Sequence, residues 1–374
     1  MIKQLQVLYD NRLVGTLALT AEHKVAFQYS DGWLQDGFSI SPFSLPLKKQ
    51  VFVPDKMCFG GLFGVFADSL PDAWGAVLMD RFWVKEGHKR EELNILERLA
   101  MVGDSARGAL CYHPVREYRE SEDKMDLDYI AEECLHILNS EESKDLDLLY
   151  SLGGSSGGAR PKVMTEIDGM DMIVKFPTSV DPGNIGRMEY EYSVCAKSCG
   201  IEMPETVLLP SAKCDGYFGV KRFDRHKQKK ERYHVLTAAA LLEADYEQPC
   251  LDYHSLMKLT KILTKDNKHD VENMFLRMCF NVLAHNRDDH AKNFSYLYFP
   301  EHNLWRLAPA YDLTYSNTFY GEHTISVNGN GRDPGWSDLL EVGLKAGMTK
   351  KRCLVLYEMC QSKVSGMLKE YLEK

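Results

Sequence analysis

The stretch Asn281–Phe294, NVLAHNRDDHAKNF, constrains this chain more than any other, read together with Ala308-Pro309-Ala310-Tyr311-Asp312 further on. Asp288 and Asn293 stand five apart, after an apolar run and the basic Arg287. Residues 294–299 then alternate, Pro300-Glu301-His302-Asn303 reads as a turn, and Leu304 to Leu307 returns. That pattern predicts a β-hairpin. The hairpin is expected to bring Asp312 back beside Asn293, so that one cation could touch both. Oxygen donors of this kind suit a hard cation such as Mg²⁺. Asp288 could accept or orient the proton of an incoming hydroxyl. Two acids and one amide at this spacing are the minimal constellation of a protein-kinase-like phosphotransferase. His290 and Lys292 stand where they could contact phosphate.

Gly153 to Lys162, GGSSGGARPK, precedes a predicted strand. Its glycines would let backbone N–H groups approach phosphate oxygens that a Cβ would obstruct. The loop is neither a Walker A motif nor a strict GxGxxG, so its weight comes from the acids downstream. Lys175, late in the apolar strand Met172 to Phe176, suits contact with the α- and β-phosphates of a nucleotide. The usual partner of such a lysine is a helix glutamate. Glu189 and Glu191 both lie on the next predicted helix, two apart and so on different faces; Glu189 is favoured. Tyr217 to Arg222 reads as a strand ending in charge, which makes Lys221, Arg222 and Phe223 candidate hinge residues against an adenine edge.

Composition narrows the partners. A formal net charge of -9 argues against non-specific binding to nucleic acid, which needs a basic footprint. The local basic run from Lys221 to Arg232 reads as a solvated loop. None of the ten cysteines forms a Cys-x-x-Cys pair, so they are expected to be small core residues in a reducing compartment. His254, His269 and His285 have no ligand setting. The start of the chain has no apolar signal-peptide region. The longest apolar stretches, such as Ala238 to Leu242, are far too short to span a bilayer. A cytoplasmic chain with no membrane contact is expected.

Periodicity divides the chain into four parts. Residues 1–115 read as a β-rich subdomain with strands at Gln4 to Tyr9, Val14 to Leu19 and Val25 to Tyr29. A helix carrying Trp74 and Phe82 follows, capped by Ser69 with Pro71 in its first turn, and another covers Glu91 to Ala100. Residues 116–147 are dense in acids and read as a linker containing one amphipathic helix near Leu127 to Leu138. Residues 148–235 read as a small lobe with the glycine-rich loop and the hinge, and 236–374 as a mainly helical lobe. The expected class is α+β, a two-lobed protein-kinase-like fold with a β-rich N-terminal subdomain and small lobe before an α-helical C-terminal lobe.

Over nearly its whole length the chain resembles the HipA family of serine/threonine kinases, the toxins of HipBA-type toxin–antitoxin modules. The motifs that carry this are Phe66 to Trp74 (FADSLPDAW), Gly103 to Leu110 (GDSARGAL), GGSSGGARPK, Val220 to Arg225 (VKRFDR), Arg287 to Phe294 (RDDHAKNF) and Leu307 to Leu313 (LAPAYDL). Leu313, rather than Phe-Gly, follows Asp312, which is usual for this family. The resemblance implies ATP and Mg²⁺ as cofactors, Asp288 as catalytic base, and Asn293 and Asp312 as metal ligands. It implies Lys175 as the phosphate-binding lysine and Gly157 and Gly158 as the phosphate-loop core; with Lys162, Glu189, Lys221, Arg222, Phe223 and His290 from the reading of the residues, these make up the expected nucleotide site. It implies self-limiting autophosphorylation at Ser155 or the adjacent Ser156. It further implies a protein substrate of the aminoacyl-tRNA synthetase class, a role in growth arrest and persistence, and a helix-turn-helix HipB-like antitoxin through which DNA is reached indirectly. The alternative is an inactive or self-silenced kinase fold acting mainly as an antitoxin-binding corepressor. The intact Lys175, Asp288, Asn293 and Asp312 favour an active enzyme.

Overall fold

The structure, a computed structural model, describes residues 2–115, 126–225, 232–245, 248, 251–318 and 320–373. The first ten residues of the expected acidic linker and residues 226–231 of the basic run lie outside the described residues. The chain divides into two compact units. One comprises Met1–Gly186, Val207–Leu236 and Ala240–Glu243; the other comprises Arg187–Thr206, Thr237–Ala239 and Ala244–Lys374.

The first unit holds two sheets. Strands β1 (Gln4–Tyr9), β2 (Arg12–Leu19), β3 (Val25–Tyr29), β4 (Val51–Phe52) and β5 (Leu110–His113) form an antiparallel sheet in the order β4-β3-β2-β1-β5. The β1–β2 turn places Asp10 and Asn11 at φ 46° and 61°, a conformation these two side chains tolerate and tight hairpins need. Leu5, Val7 and Tyr9 are buried while Gln4 and Gln6 are exposed, the period-two pattern of a half-buried strand. The second sheet orders β6 (Lys162–Ile167), β7 (Met170–Lys175), β8 (Thr206–Leu209) and β9 (Tyr217–Lys221) as β6-β7-β9-β8. Asp168 and Gly169, both at positive φ, close the β6–β7 hairpin.

One core joins this second sheet to four helices, Ala73–Lys85, Ile95–Val102, Leu127–Leu138 and Leu146–Gly153. Trp74, Leu78, Val102, Ile130, Cys134, Tyr150, Val163, Val174 and Phe176 meet there. Each fully buried large side chain contributes roughly 1.5–3 kcal/mol. The helix expected near Leu127 to Leu138 forms with those bounds and buries Ile130, Ala131, Cys134 and Ile137.

Three local expectations need correction. Ser69 does not cap the Trp74 helix: its Oγ accepts from Tyr112 Oη at 2.7 Å, and Asp72 holds the N-cap position, so Pro71 precedes the helix. The expected Glu91 to Ala100 helix is broken. Asn94 accepts from Leu96 N at 2.8 Å and Glu97 N at 3.0 Å, so the helix begins at Ile95. The glycine-rich run begins inside a helix that periodicity did not announce, Leu146–Gly153.

Strand β10 (His234–Thr237) leads out of the first unit. In the second unit the expected hairpin forms as β11 (Ser295–Phe299) and β12 (Leu304–Leu307), with Tyr296 opposite Leu307 and Phe299 opposite Leu304. Asn303, at φ 46°, closes its turn. The helix Lys268–Leu283, capped by Asn267, is buried on nearly every side, through Met274, Phe275, Met278, Cys279 and Phe280. It also buries Arg277, which donates from Nε to Asn273 at 3.1 Å and from Nη2 to the Ala308 carbonyl at 2.6 Å. Burial lowers the Arg277 pKa to about 10. The core helix thereby grips the segment that leads to Asp312. Cys195, Cys199, Cys279, Cys353 and Cys360 are buried free thiols of this unit. Among the described residues no helix is long and apolar enough to cross a membrane.

Candidate functional site

The glycine-rich loop, Lys162 and Lys175 meet at one end of the β6–β7 pair, while Lys221 lies opposite Met172, toward the hairpin turn, and Arg222 N donates to the Asp171 carbonyl at 2.8 Å. Gly158 sits at φ 88°, and a Cβ there would lie 2.6 Å from Lys162 Nζ, so only glycine fits without strain. Its N–H donates to an Asp72 carboxylate oxygen, and its carbonyl accepts from Trp74 N at 3.2 Å. Lys162 Nζ donates to the Gly157 carbonyl. Gly75 lets the Trp74 helix approach the loop, since a Cβ there would stand 2.3 Å from the Ser156 carbonyl oxygen. The loop is therefore fastened at several points. Ser156 is buried and donates to the Gly153 carbonyl at 2.6 Å. Ser155 is half-buried and donates to the Ser105 carbonyl at 3.0 Å.

Lys162 and Lys175 stand directly opposite each other across β6 and β7. Like charges in that register destabilise a sheet unless an anion lies between or above them. Lys175 Nζ also lies 5.6 Å over the Phe218 ring. At the candidate hinge, Lys221 ends β9 and Arg107 lies 5.6 Å over the Phe223 ring. The Arg222 side chain is committed to Asp224, with two bonds of 3.0 and 2.8 Å. Asp224 also accepts from Arg225 at 2.8 Å and from Gly108 N at 2.8 Å. Burial pushes Asp224 upward, but the two guanidiniums outweigh it and hold the carboxyl far below its ordinary range. Burial brings Arg225 down to about 10. Asp224 thus ties the hinge to the Gly103–Gly108 loop. Sequence reasoning passed over it, although an acid flanked by two arginines was a visible signal.

The second unit holds the acids. Arg287 is fixed through its main chain: its N donates to the Ser316 carbonyl at 3.3 Å, and its carbonyl accepts from Thr324 N at 3.0 Å. The Asp288 side chain that follows is 60% exposed, with His290 Nε2 3.9 Å from its Oδ1. Asn293 Nδ2 donates to the Asp288 carbonyl at 2.8 Å, and Asn293 N donates to the His290 carbonyl at 2.9 Å. The hairpin return is stitched to this segment. Ala308 N donates to the Ser295 carbonyl at 2.8 Å, and Tyr311 Oη donates to the Lys292 carbonyl at 2.6 Å. Lys292 precedes Asn293 and Tyr311 precedes Asp312, so one hydrogen bond joins the neighbours of the two proposed metal ligands. Asp312 sits at φ 53°, a left-handed conformation that an aspartate tolerates.

Glu189 is buried at 3% exposure. Glu191 is engaged elsewhere, accepting from Arg187 Nε at 3.0 Å and from Tyr371 Oη at 2.6 Å. Asp289, which the sequence reading did not single out, is entirely buried.

Comparison with known proteins gives the family and the fold. Residues 5–113 match the HipA N-terminal domain and residues 154–367 the HipA-like C-terminal domain. In structure, 98% of the chain aligns with 90% of a chain from the Shewanella oneidensis MR-1 toxin–antitoxin complex of HipA, HipB and operator DNA, at a TM-score of 0.72 and 17% identity. The fold is thus the mixed α and β, kinase-like class of HipA proteins. The chain belongs to the HipA family. It is 25% identical over 345 residues to the putative kinase Y4dM of Sinorhizobium fredii, covering 84% of this chain and 78% of that protein. It is 30% identical over 129 residues to a putative kinase of Haemophilus influenzae, covering 31% of this chain and 37% of that protein.

Proposed function

We propose that this chain is an ATP- and Mg²⁺-dependent serine/threonine protein kinase of the HipA toxin type. The carrying observation is Asp288: an exposed carboxylate on a main chain fixed by its neighbours, with its own carbonyl tied to Asn293. An exposed acid on an immobile strap is what a base needs when it must meet a hydroxyl from a separate protein. Similarity to two putative kinases supports the same reading.

The donor chemistry fits a hard cation. Asn293 commits its Nδ2 to the Asp288 carbonyl, so its Oδ1 is the atom it has to offer, and Asp312 brings a carboxylate. Among the described residues no three His, Cys, Asp or Glu side chains gather as a metal site. An amide and one carboxylate suit Mg²⁺, which keeps much of its water and takes few protein ligands. When bound, that ion would neutralise charge on the phosphate oxygens.

The chain's own groups do the rest. Asp288 takes the proton from a serine or threonine hydroxyl. That oxygen bonds to the terminal phosphorus of the nucleotide, and the bond from that phosphorus to its bridging oxygen breaks, releasing the diphosphate. Lys162 and Lys175 offer charge to the phosphates, with Gly157 and Gly158 supplying close-approaching backbone. Lys221, Arg222 and Phe223 offer main-chain groups to the base. Glu189 and His290 complete the set.

Of the two candidate serines, Ser155 suits autophosphorylation better, because it is half-buried while Ser156 is buried. Phosphate on Ser155 would replace its bond to Ser105 and add roughly -1.5 to -2 charge to the loop. The proposed substrate is an aminoacyl-tRNA synthetase and the proposed partner a HipB-like antitoxin. The HipA–HipB–DNA assembly of the Shewanella protein supports the partner, and the acidic net charge suits a chain that leaves DNA to it. One contact favours the alternative of a silenced corepressor: Asp72 occupies the Gly158 amide that a phosphate would use. The deciding experiment is transfer of labelled γ-phosphate from Mg·ATP by wild type beside Asp288→Asn. Label transferred by wild type alone is expected. No transfer by a wild type that binds ATP would replace this reading with the corepressor.

A further inference from the structure

Asp289 directly follows the proposed base, is 0% exposed, and has no part in the chemistry above. A buried carboxylate is tolerated only when donors satisfy it. Three do. Tyr253 Oη donates to Oδ2 at 2.8 Å, His323 Nδ1 donates to the same oxygen at 3.0 Å, and Ile325 N donates to Oδ1 at 3.2 Å. Tyr253 Oη in turn accepts from Asn281 Nδ2 at 2.9 Å, and Asn281 Oδ1 accepts from Asn286 Nδ2 at 2.9 Å. Asn286, Asn281, Tyr253, Asp289 and His323 are all buried, so one unbroken hydrogen-bonded line runs through this unit.

The ends of the line matter more than its length. Asn286 lies two residues before Asp288 and Asp289 lies one after. Between them the Arg287 main chain is held on both its N–H and its carbonyl. From 286 to 289 the Asn286 and Asp289 side chains and the Arg287 main chain are held inward, while the Asp288 side chain is 60% exposed. A polar group that merely filled the core would have no reason to brace both flanks of one exposed acid.

We propose that Asp289 is the positioning residue of the reaction. Through Tyr253, Asn281 and Asn286 on one side and His323 on the other, it aims the Asp288 carboxylate and thereby sets the rate of transfer without contributing to nucleotide binding. This rests on Asp288 being the base. A misplacement of about 1 Å at such a group costs up to roughly 100-fold in rate.

The test compares full-length Asp289→Asn, Tyr253→Phe, His323→Asn and His323→Leu with wild type. Three quantities are read: kcat per folded molecule with Mg·ATP, the Kd of a non-hydrolysable ATP analogue, and amide hydrogen exchange over residues 286–293. Asp289→Asn and Tyr253→Phe are expected to lower kcat about 10–100-fold while leaving Kd within about twofold. Exchange over 286–293 should quicken. His323→Asn, which keeps a donor near the Nδ1 position, should retain more activity than His323→Leu. On an Asp288→Asn background, Asp289→Asn should cost nothing further in residual transfer. Unchanged kcat in folded Asp289→Asn, a parallel loss of kcat and nucleotide affinity, or a full additional loss on the Asp288→Asn background would each overturn the assignment. Should Asp289→Asn fail to fold, Tyr253→Phe, which removes a single oxygen, carries the same test. A wild type that transfers no phosphate would refute the base itself. The exchange data then still decide the anchoring, which unchanged exchange in Asp289→Asn overturns.

Discussion

Asn293 turns its side-chain amide back onto the main-chain carbonyl of Asp288, at 2.8 Å. The proposed metal ligand and the proposed base are thus one mechanical piece, and a change at one should be felt at the other. Asn293→Ala removes both the tie and the oxygen. It is expected to weaken the Mg²⁺-dependent part of nucleotide affinity about tenfold and to cut transfer at least about 100-fold, the range lost with a single preorganised group. Asn293→Asp keeps an oxygen but cannot donate, so it should recover the Mg²⁺ dependence and not the rate. Calorimetric titration of the nucleotide with and without Mg²⁺ checks the first claim, and equal metal dependence in Asn293→Ala and wild type would take Asn293 out of the site.

Asp288→Asn separates chemistry from structure more cleanly. The side chain is largely exposed, and the bond to Asn293 uses the main chain, which the substitution leaves alone. Stability should change by no more than about 0.5 kcal/mol. Transfer should fall by about 10²–10⁴-fold, the usual contribution of a general base. Denaturant midpoints together with labelled transfer read both, and a variant that still transferred at the wild-type rate would place the base elsewhere.

The second half of the site was legible because its signals are local. Period-two alternation on both sides of Pro300-Glu301-His302-Asn303 specifies a hairpin, and β11 and β12 form in that register. The turn at Asp10-Asn11 and the helix at Leu127–Leu138 were legible for the same reason. What failed needed information about which partner wins. Ser69 carries a capping side chain, but Tyr112 takes its hydroxyl, and Asp72 holds the N-cap position while sending its carboxylate to Gly158. The five-residue spacing to Asn293 singles out Asp288 in the sequence, but that Asp288 is exposed while its neighbour Asp289 is buried and hydrogen-bonded shows only in the fold. The helix Leu146–Gly153 was missed because its apolar face lies between an acidic run and a glycine run, both of which read as loop.

Gly158→Ala tests whether the glycine-rich loop needs its observed shape. At φ 88° an alanine is strained by roughly 1–2 kcal/mol, and its Cβ would meet Lys162 Nζ. The Lys162 ammonium would have to move from the Gly157 carbonyl to which it donates. Nucleotide affinity should therefore fall, by about tenfold if the whole strain is borne by the bound state. Gly169→Ala is the control, since Gly169 also sits at a positive φ, 74°, but in the β6–β7 turn, where an added Cβ meets nothing within 4 Å. Fluorescent-nucleotide binding to the two variants checks this, and equal affinities would mean that the Gly158 conformation is not part of the binding site.

His234 makes the first unit acid-sensitive in a defined window. It is buried, with Nε2 2.7 Å from the Ile40 carbonyl, and burial lowers its pKa to about 4 against the opposing pull of that bond. Above pH 6.5 the ring is neutral in both folded and unfolded chains, so stability does not depend on it. Between pH 6.5 and about 4 the unfolded chain takes up a proton that the folded chain refuses, and stability must fall as pH falls. The total loss is on the order of 3 kcal/mol, since each unit of pKa difference is worth about 1.4 kcal/mol. Asp224 acts in a different range: its carboxyl is held below the ordinary carboxylate value, so its contribution is lost only under stronger acid. His234→Gln keeps an N–H donor for the Ile40 carbonyl and cannot titrate. Urea midpoints measured from pH 7.5 down to 4.5 should therefore slope steeply for wild type and flatten for His234→Gln. Parallel slopes for the two proteins would show that the buried imidazole is not what acid attacks.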